Sequence, residues 1–426
     1  MSSRRLISTQ APRVVLLRDF IRASLYDPSH GYFCQNNAPI GSLEEPIEFD
    51  ALEGKDEYYD AVAQQYDTLG THWLTPAEIF SPHIGHSIAS YISHRIDEKK
   101  RQGWGGPLTI YEIGGGTGTL AKDALDWLRA HRNDVYSSCR YETIDISLNL
   151  TDRQRDKVHG AGHGDDVFRA HVGDACERDT WHRVARDGTA GCFIVGMEVL
   201  DNLPHDKIVK LENDQGESVW MESCVEYDPE NLEQEPEEHV RPLSDAVITD
   251  VLKSWSELKE SESTSLSVDR VLKWLLDMNR TPEPVFLPTS AAMLFDTLNS
   301  AVPHHECIFS DFDYLPDVVV EGENAPIVST TIDGKARDRA TLFAPFGSAD
   351  IFFPTNFRLL QTMYQRSSMS AGVSMEHESK IKILKASDFF SSNVPNAARV
   401  TTKSGYVPLT EDYSNTSFFL THRSWA

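Results

Sequence analysis

The segment Tyr111-Glu112-Ile113-Gly114-Gly115-Gly116-Thr117-Gly118-Thr119-Leu120 sets a carboxylate, four glycines and two threonines within ten positions. An apolar run, Leu108 to Ile113, leads into it, and Leu120, Ala124, Leu125 and Leu128 follow at helical spacing. Glycines directly after a buried strand let the chain turn sharply and let a ligand approach the backbone. The first turn of the next helix offers free N–H donors. This chemistry suits a nucleotide-type ligand. A dinucleotide fingerprint requires Gly or Ala three residues after its second glycine, where this chain has Thr119, so the spacing speaks against a nicotinamide-dependent oxidoreductase.

Further carboxylates follow at strand ends. Asp145 closes a run from Arg140 to Ile146 and could accept hydrogen bonds from ribose hydroxyls, as an acid at that position does in nucleotide folds. Asp174 and Ala175 follow a run from Val167 to Val172, where a side chain and a backbone group could meet an adenine amino group and ring nitrogen. Glu198 and Asp201 share the turn Gly196-Met197-Glu198-Val199-Leu200-Asp201-Asn202-Leu203-Pro204-His205 after a fourth run, Gly191 to Val195. Two carboxylates there could clamp the planar fork of a guanidinium. Each acid also has a plainer role, as a turn residue or as the acidic first turn of a helix. His83-Ile84-Gly85-His86 is the nearest approach to a metal-ligand pair, but structural metal sites usually need four ligands, so no metal is expected.

Strands alternating with helices, the latter at Leu120 to Ala130 and Leu150 to Val158, predict an α/β fold, a doubly wound Rossmann-like sheet with right-handed crossovers. Before it, Val14, Leu17, Ile21 and Leu25 predict a helix that stops at Asp27-Pro28-Ser29-His30-Gly31. Thr75-Pro76-Ala77-Glu78 reads as a capping box. The helix it opens is interrupted at Pro82 and continues through Ile84, Ile88, Ile92 and Ile96. Residues 1–18 carry Arg4, Arg5, Arg13 and Arg18 and no acid, a composition that suits a mitochondrial targeting leader and equally a disordered or helical one. Residues 19–106 read as an N-terminal helical substrate or cap region, and 107–426 as the core with an acidic insertion at about 212–290.

The pattern acid-x-G-x-G-x-G resembles that of class I methyltransferases, and the chain resembles the MidA-like methyltransferase family over roughly residues 15 to 360. Leu25-Tyr26-Asp27-Pro28 with His30-Gly31-Tyr32-Phe33 is similar to the family's first helix and P-x-x-G-Y-Y turn. Thr75-Pro76-Ala77-Glu78-Ile79 with Gly85 is similar to its T-S-P-E-I segment, and Glu112 to Leu120 to its E-L-G-P-G-R-G-T-L. Leu150 and Gln154, Glu198 to Pro204, Ser310 to Tyr314 and Gly347 to Phe357 match further motifs in the same order. The resemblance implies S-adenosylmethionine as cofactor, held by Glu112, Gly114, Gly115, Gly116, Gly118, Leu120, Asp145, Asp174 and Ala175, with Glu112 attracting the methionine ammonium. It implies catalysis by Glu198 and Asp201 on a protein arginine, symmetric dimethylation of a mitochondrial protein such as a complex I subunit, and the mitochondrial matrix as location. The alternative location is the cytoplasm. The alternative function is an assembly chaperone on the same fold with little catalysis. Gly115, Thr117, Met197, Asn202 and Leu315 depart from the family pattern and mark a divergent branch.

Composition narrows the partners. The chain has 426 residues, 40 basic against 65 acidic, for a net charge of −25. A nucleic-acid partner needs clustered Lys and Arg, so none is expected. No apolar run approaches the roughly 18 residues of a membrane span, so no membrane insertion is expected. Six dispersed cysteines without a Cys-x-x-Cys pair read as buried thiols of a reducing compartment. The acidic run Glu233 to Glu238 reads as a solvated insertion or a rim for a basic substrate segment.

Overall fold

Short β-rich runs that are apolar on both faces can be buried only inside a parallel sheet covered by helices. In the computed structural model, which describes residues 12–34, 40–69, 73–185, 191–213, 215–263, 283–332, 335–372 and 381–425, they form such a sheet. The chain divides into two compact units, each assembled from separated segments.

The larger unit comprises residues 33–201, 293–314 and 355–426. Its seven-stranded sheet runs Ile381–Lys385, Thr416–Thr421, His305–Phe312, Cys192–Met197, Thr109–Ile113, Arg140–Asp145, Phe168–Val172. The last five are mutually parallel, and Thr416–Thr421 runs against both of its neighbours. The four strands expected between residues 108 and 197 are present with ends shifted by two residues at most. The helix His83–Arg101 precedes them, and Thr119–His131 and Leu148–Gly160 lie between them in sequence as expected. The last two strands, beyond residue 374, escaped the sequence reading. Phe418 packs against Phe389 with ring centroids 3.9 Å apart.

This unit also buries an ionic cluster. Glu306, 1% exposed, accepts from Arg95 Nη2 at 2.8 Å and Nε at 3.0 Å, and it pairs with Lys99 Nζ at 2.6 Å. The Arg423 backbone N–H adds a fourth donor at 3.0 Å. Burial alone would raise the Glu306 carboxyl, but the two cations outweigh it and hold the group below its ordinary value.

The smaller unit comprises residues 1–32, 202–292 and 315–354. The predicted helix from Val14 begins only at Leu17, because Val14 and Val15 extend as part of an edge strand, Arg13–Leu16, against Cys224 to Tyr227. Arg18, counted above in a leader, is folded in: its guanidinium bridges Asp206 and Asp245, each at 2.7 Å. Residues 1–11 of that leader lie outside the described residues. The acidic insertion is itself a folded sheet, with Ser218–Tyr227 flanked by Asp206–Glu212 and Glu237–Pro242. Its acids are partly paired, Glu235 with Arg339 at 2.6 Å and Glu238 with Lys207 at 2.9 Å. Residues 264–282 of the insertion lie outside the described residues. Among the described residues no helix is long and apolar enough to cross a membrane, and no three His, Cys, Asp or Glu side chains gather as a metal site.

Candidate active site

In the larger unit the strand Thr109–Ile113 delivers its last residue to the glycine loop, and the loop closes on the helix Thr119–His131. Gly114 has φ +67°, and a Cβ there would stand 2.7 Å from Val199 Cγ2. Gly118 has φ +90° and opens the helix; a Cβ there would lie 2.8 Å from Gln154 Cα. Both positions therefore need glycine for conformation and for space. Gly118→Ala is expected to cost about 1–3 kcal/mol in stability, from the left-handed backbone and the backbone clash together. Urea denaturation checks this, and an unchanged midpoint would contradict the close approach.

The loop borders a cleft with Glu112, Glu78, Met197, Glu198 and an apolar wall of Phe390, Leu409 and Tyr413. Of the residues expected at the site, Glu112, Gly114, Gly115, Gly116, Leu120 and Glu198 line this cleft. Gly118 turns the loop. Asp145, Asp174, Ala175 and Asp201 are not among its lining residues.

Each has a defined place nonetheless. Asp145 accepts the Ser147 N–H at 2.9 Å and Gln154 Nε2 at 2.9 Å, and burial pushes its carboxyl up to about 6 against those bonds. Gln154 also donates to the Gly116 carbonyl at 3.0 Å, tying the glycine loop to the second strand's end. Asp174 accepts the Cys176 N–H at 2.7 Å, and the Ala175 carbonyl accepts Trp181 Nε1 at 2.8 Å.

Glu112 is buried and accepts the Tyr141 hydroxyl at 2.9 Å. Burial drives its carboxyl up to about 7; the Tyr141 bond opposes this and the charge of Asp145 adds to it. Glu198 holds φ +52°, a left-handed conformation costly for a residue with a side chain, and its N–H donates to the Ser310 carbonyl at 2.9 Å. Strain of this kind concentrates at functional sites. Burial, then the neighbouring Asp311, raises the Glu198 carboxyl well above the ordinary range.

Three residues that the sequence reading left without a site role organise the cleft. Asp311 accepts the N–H groups of Leu200 at 2.8 Å, Asp201 at 3.1 Å and Phe312 at 2.8 Å, which fixes the turn carrying Glu198. Glu78 was expected to close a capping box. Thr75 does cap the short helix Pro76–Ile79, but the Glu78 carboxylate turns to Lys157 Nζ at 2.9 Å, to the Leu43 N–H at 3.2 Å and to the hydroxyls of Thr117 and Thr119. Burial raises that carboxyl, yet Lys157 and the hydroxyls prevail and hold it low, as a carboxylate. Gln154 is the third. Only a residue-type match at its position signalled it.

Residues 87–374 match the model of an S-adenosyl-L-methionine-dependent methyltransferase family. The chain is 23% identical over 336 residues to a curated protein of Schizosaccharomyces pombe, "Protein arginine methyltransferase NDUFAF7 homolog, mitochondrial"; the match covers 74% of this chain and 66% of that protein, just under two thirds of its length. Among solved structures it is similar to a superfamily member from Burkholderia thailandensis bound to S-adenosyl-homocysteine, with TM-score 0.60, 15% identity and coverage of 97% and 89% of the two chains. A native crystal form of a protein of that superfamily from the same organism gives TM-score 0.58 at 15% identity, covering 97% and 88%. These two likenesses are of fold.

Proposed function

The chain belongs to the S-adenosyl-L-methionine-dependent methyltransferase family whose model it matches, and from that membership we propose that it methylates an arginine of a protein, with Glu198 as the residue that receives the guanidinium. The observation that carries this reading is Glu198 itself: a carboxyl held in a strained backbone beside the glycine loop, in a cleft with an apolar wall of Phe390, Leu409 and Tyr413.

The cofactor of the family is S-adenosylmethionine, and the residues present fit it. Gly114, Gly115 and Gly116 line the cleft, no atom stands within 4 Å of where a Cβ on the left-handed Gly116 would lie, and Glu112 offers a carboxylate for an ammonium group. Bound there, S-adenosylmethionine supplies an electrophilic sulfonium methyl. The chain's contribution is then positioning and electrostatics. A guanidinium entering beside Glu198 favours the ionised carboxyl, so the group releases its proton and accepts N–H bonds that orient one nitrogen and localise the positive charge on the others. Asp311 holds the turn in place, and Phe390, Leu409 and Tyr413 keep water from the arginine stem. The name of the yeast relative supports an arginine in a mitochondrial protein as acceptor. The resemblance adds symmetric dimethylation, a complex I subunit and the matrix.

Glu112 makes cofactor binding depend on pH. Its carboxyl titrates at about 7, so below that value it is protonated and attracts an ammonium weakly; above it the charge is present. Affinity for S-adenosylmethionine is expected to rise from pH 6 to 7.5 by up to roughly tenfold per unit on the acid side. Calorimetry across this range should show the rise in the wild type and its loss in Glu112→Gln. A flat wild-type profile would remove Glu112 from the ammonium site.

The reading is tested by incubating the protein with methyl-labelled S-adenosylmethionine and mitochondrial extract. One labelled protein band is expected. Cofactor binding without any labelled protein would instead favour an assembly factor that keeps the fold and little catalysis.

A further inference from the structure

We propose that the edge of the large sheet remote from the glycine loop is a second binding site, for a small phosphate-bearing anion. The parallel strands expose their starting ends there. Thr109 pairs with Arg140, Tyr111 with Glu142, and Glu142 with Arg169, so these residues stand side by side on one face. With Arg183 of the helix Arg178–Val184 they line a cavity of about 110 Å³ that also includes the buried Cys192 and Val302. None of the residues lining the cofactor cleft belongs to it.

Three arginines, Arg140, Arg169 and Arg183, line this cavity, in a chain with 65 acids against 40 bases. Several arginines of the chain have a carboxylate partner. Arg95, Arg132, Arg155, Arg241, Arg339 and Arg399 all have one. Arg140, Arg169 and Arg183 form no ion pair among the described residues. Arg169 Nε donates to the Asp165 carbonyl at 3.0 Å and Arg183 Nε to the Asp179 carbonyl at 3.3 Å, which anchors each side chain and leaves its terminal nitrogens for a ligand. The one carboxylate in the cavity, Glu142, is engaged by His171 Nε2 at 2.8 Å. Mutual repulsion of three neighbouring cations is relieved by an anion with at least two charges and three acceptor oxygens. A phosphate group has both, and guanidinium forks fit it. A carboxylate offers only two oxygens.

The test is calorimetric titration of the full chain with pyrophosphate at constant ionic strength, with sodium acetate as the competing monocarboxylate. Saturable binding at one site is expected. Arg140→Gln and Arg169→Gln should each weaken it roughly tenfold, as losing a charge-assisted hydrogen-bonded pair does, while the affinity for S-adenosylhomocysteine stays unchanged and shows the variants to be folded. Absence of saturable binding, binding that neither substitution weakens, or equal competition by acetate would overturn the proposal.

Discussion

Glu198→Gln is expected to lower methyl transfer by about 10²–10³-fold, the range for removing one preorganised electrostatic partner of a reacting group. The substitution keeps the size and hydrogen-bonding shape of the side chain and the left-handed backbone at this position. It removes only the charge that a guanidinium would pair with. Because Glu112 and the glycine loop are untouched, cofactor affinity should stay within about twofold, well inside the tenfold that 1.4 kcal/mol represents. The effect must therefore fall on kcat or on the acceptor's KM. Equal rates in the two proteins at saturating cofactor would remove Glu198 from the proposed role, whereas a parallel loss of cofactor affinity would indicate a general collapse of the turn that Asp311 holds.

The largest stability effect is expected at Glu306→Gln. This carboxylate sits almost wholly buried with Arg95 and Lys99 on it, and neither cation has water to replace it: their side chains are 11% and 3% exposed. Breaking a buried ion cluster by removing the partner at its centre typically costs about 3–5 kcal/mol, and here the pair of Arg95 with Glu98 and the bond from Lys99 to the Arg423 carbonyl limit the loss to the lower end. Guanidinium denaturation measures it directly. The pH dependence gives an independent reading. A carboxyl held below its ordinary value in the folded state contributes stability that is present above its unfolded value and is lost as pH falls through the folded one. The wild type should thus lose stability on acidification below pH about 4.5 more steeply than Glu306→Gln. Identical slopes would show that the cluster contributes no charge-dependent stability.

The glycine loop and the strand ends were legible because their signals are local. The glycine loop, the acid before it and the strand ends at Asp145 and Asp174 each follow from a short run of residues whose turn geometry restricts the side chain. What organises the site is not local. Asp311 reaches Leu200 and Asp201 across 110 or more positions, and Glu78 meets Thr117 some 39 positions on. Glu78 also satisfied a capping pattern, and that plausible short-range role concealed the long-range one. The smaller unit was hidden for a different reason. Ser218–Tyr227 has partners on both of its edges yet carries Glu222 and Glu226, so it reads as part of an acidic insertion; its pairing with its neighbours Asp206–Glu212 and Glu237–Pro242 and with the distant Arg13–Leu16 makes it a strand. Arg18 illustrates the same limit. By composition it belongs to a basic leader, but its partners Asp206 and Asp245 lie 188 and 227 positions away.

Whether the family's methyl transfer is directed here to a protein arginine is decided by hydrolysing the labelled acceptor to amino acids and separating the methylated products. Label is expected in dimethylarginine, of the symmetric isomer, and is expected to disappear when the enzyme carries Glu198→Gln. Label recovered in any other residue, or in a small molecule with no labelled protein, would contradict arginine as the acceptor.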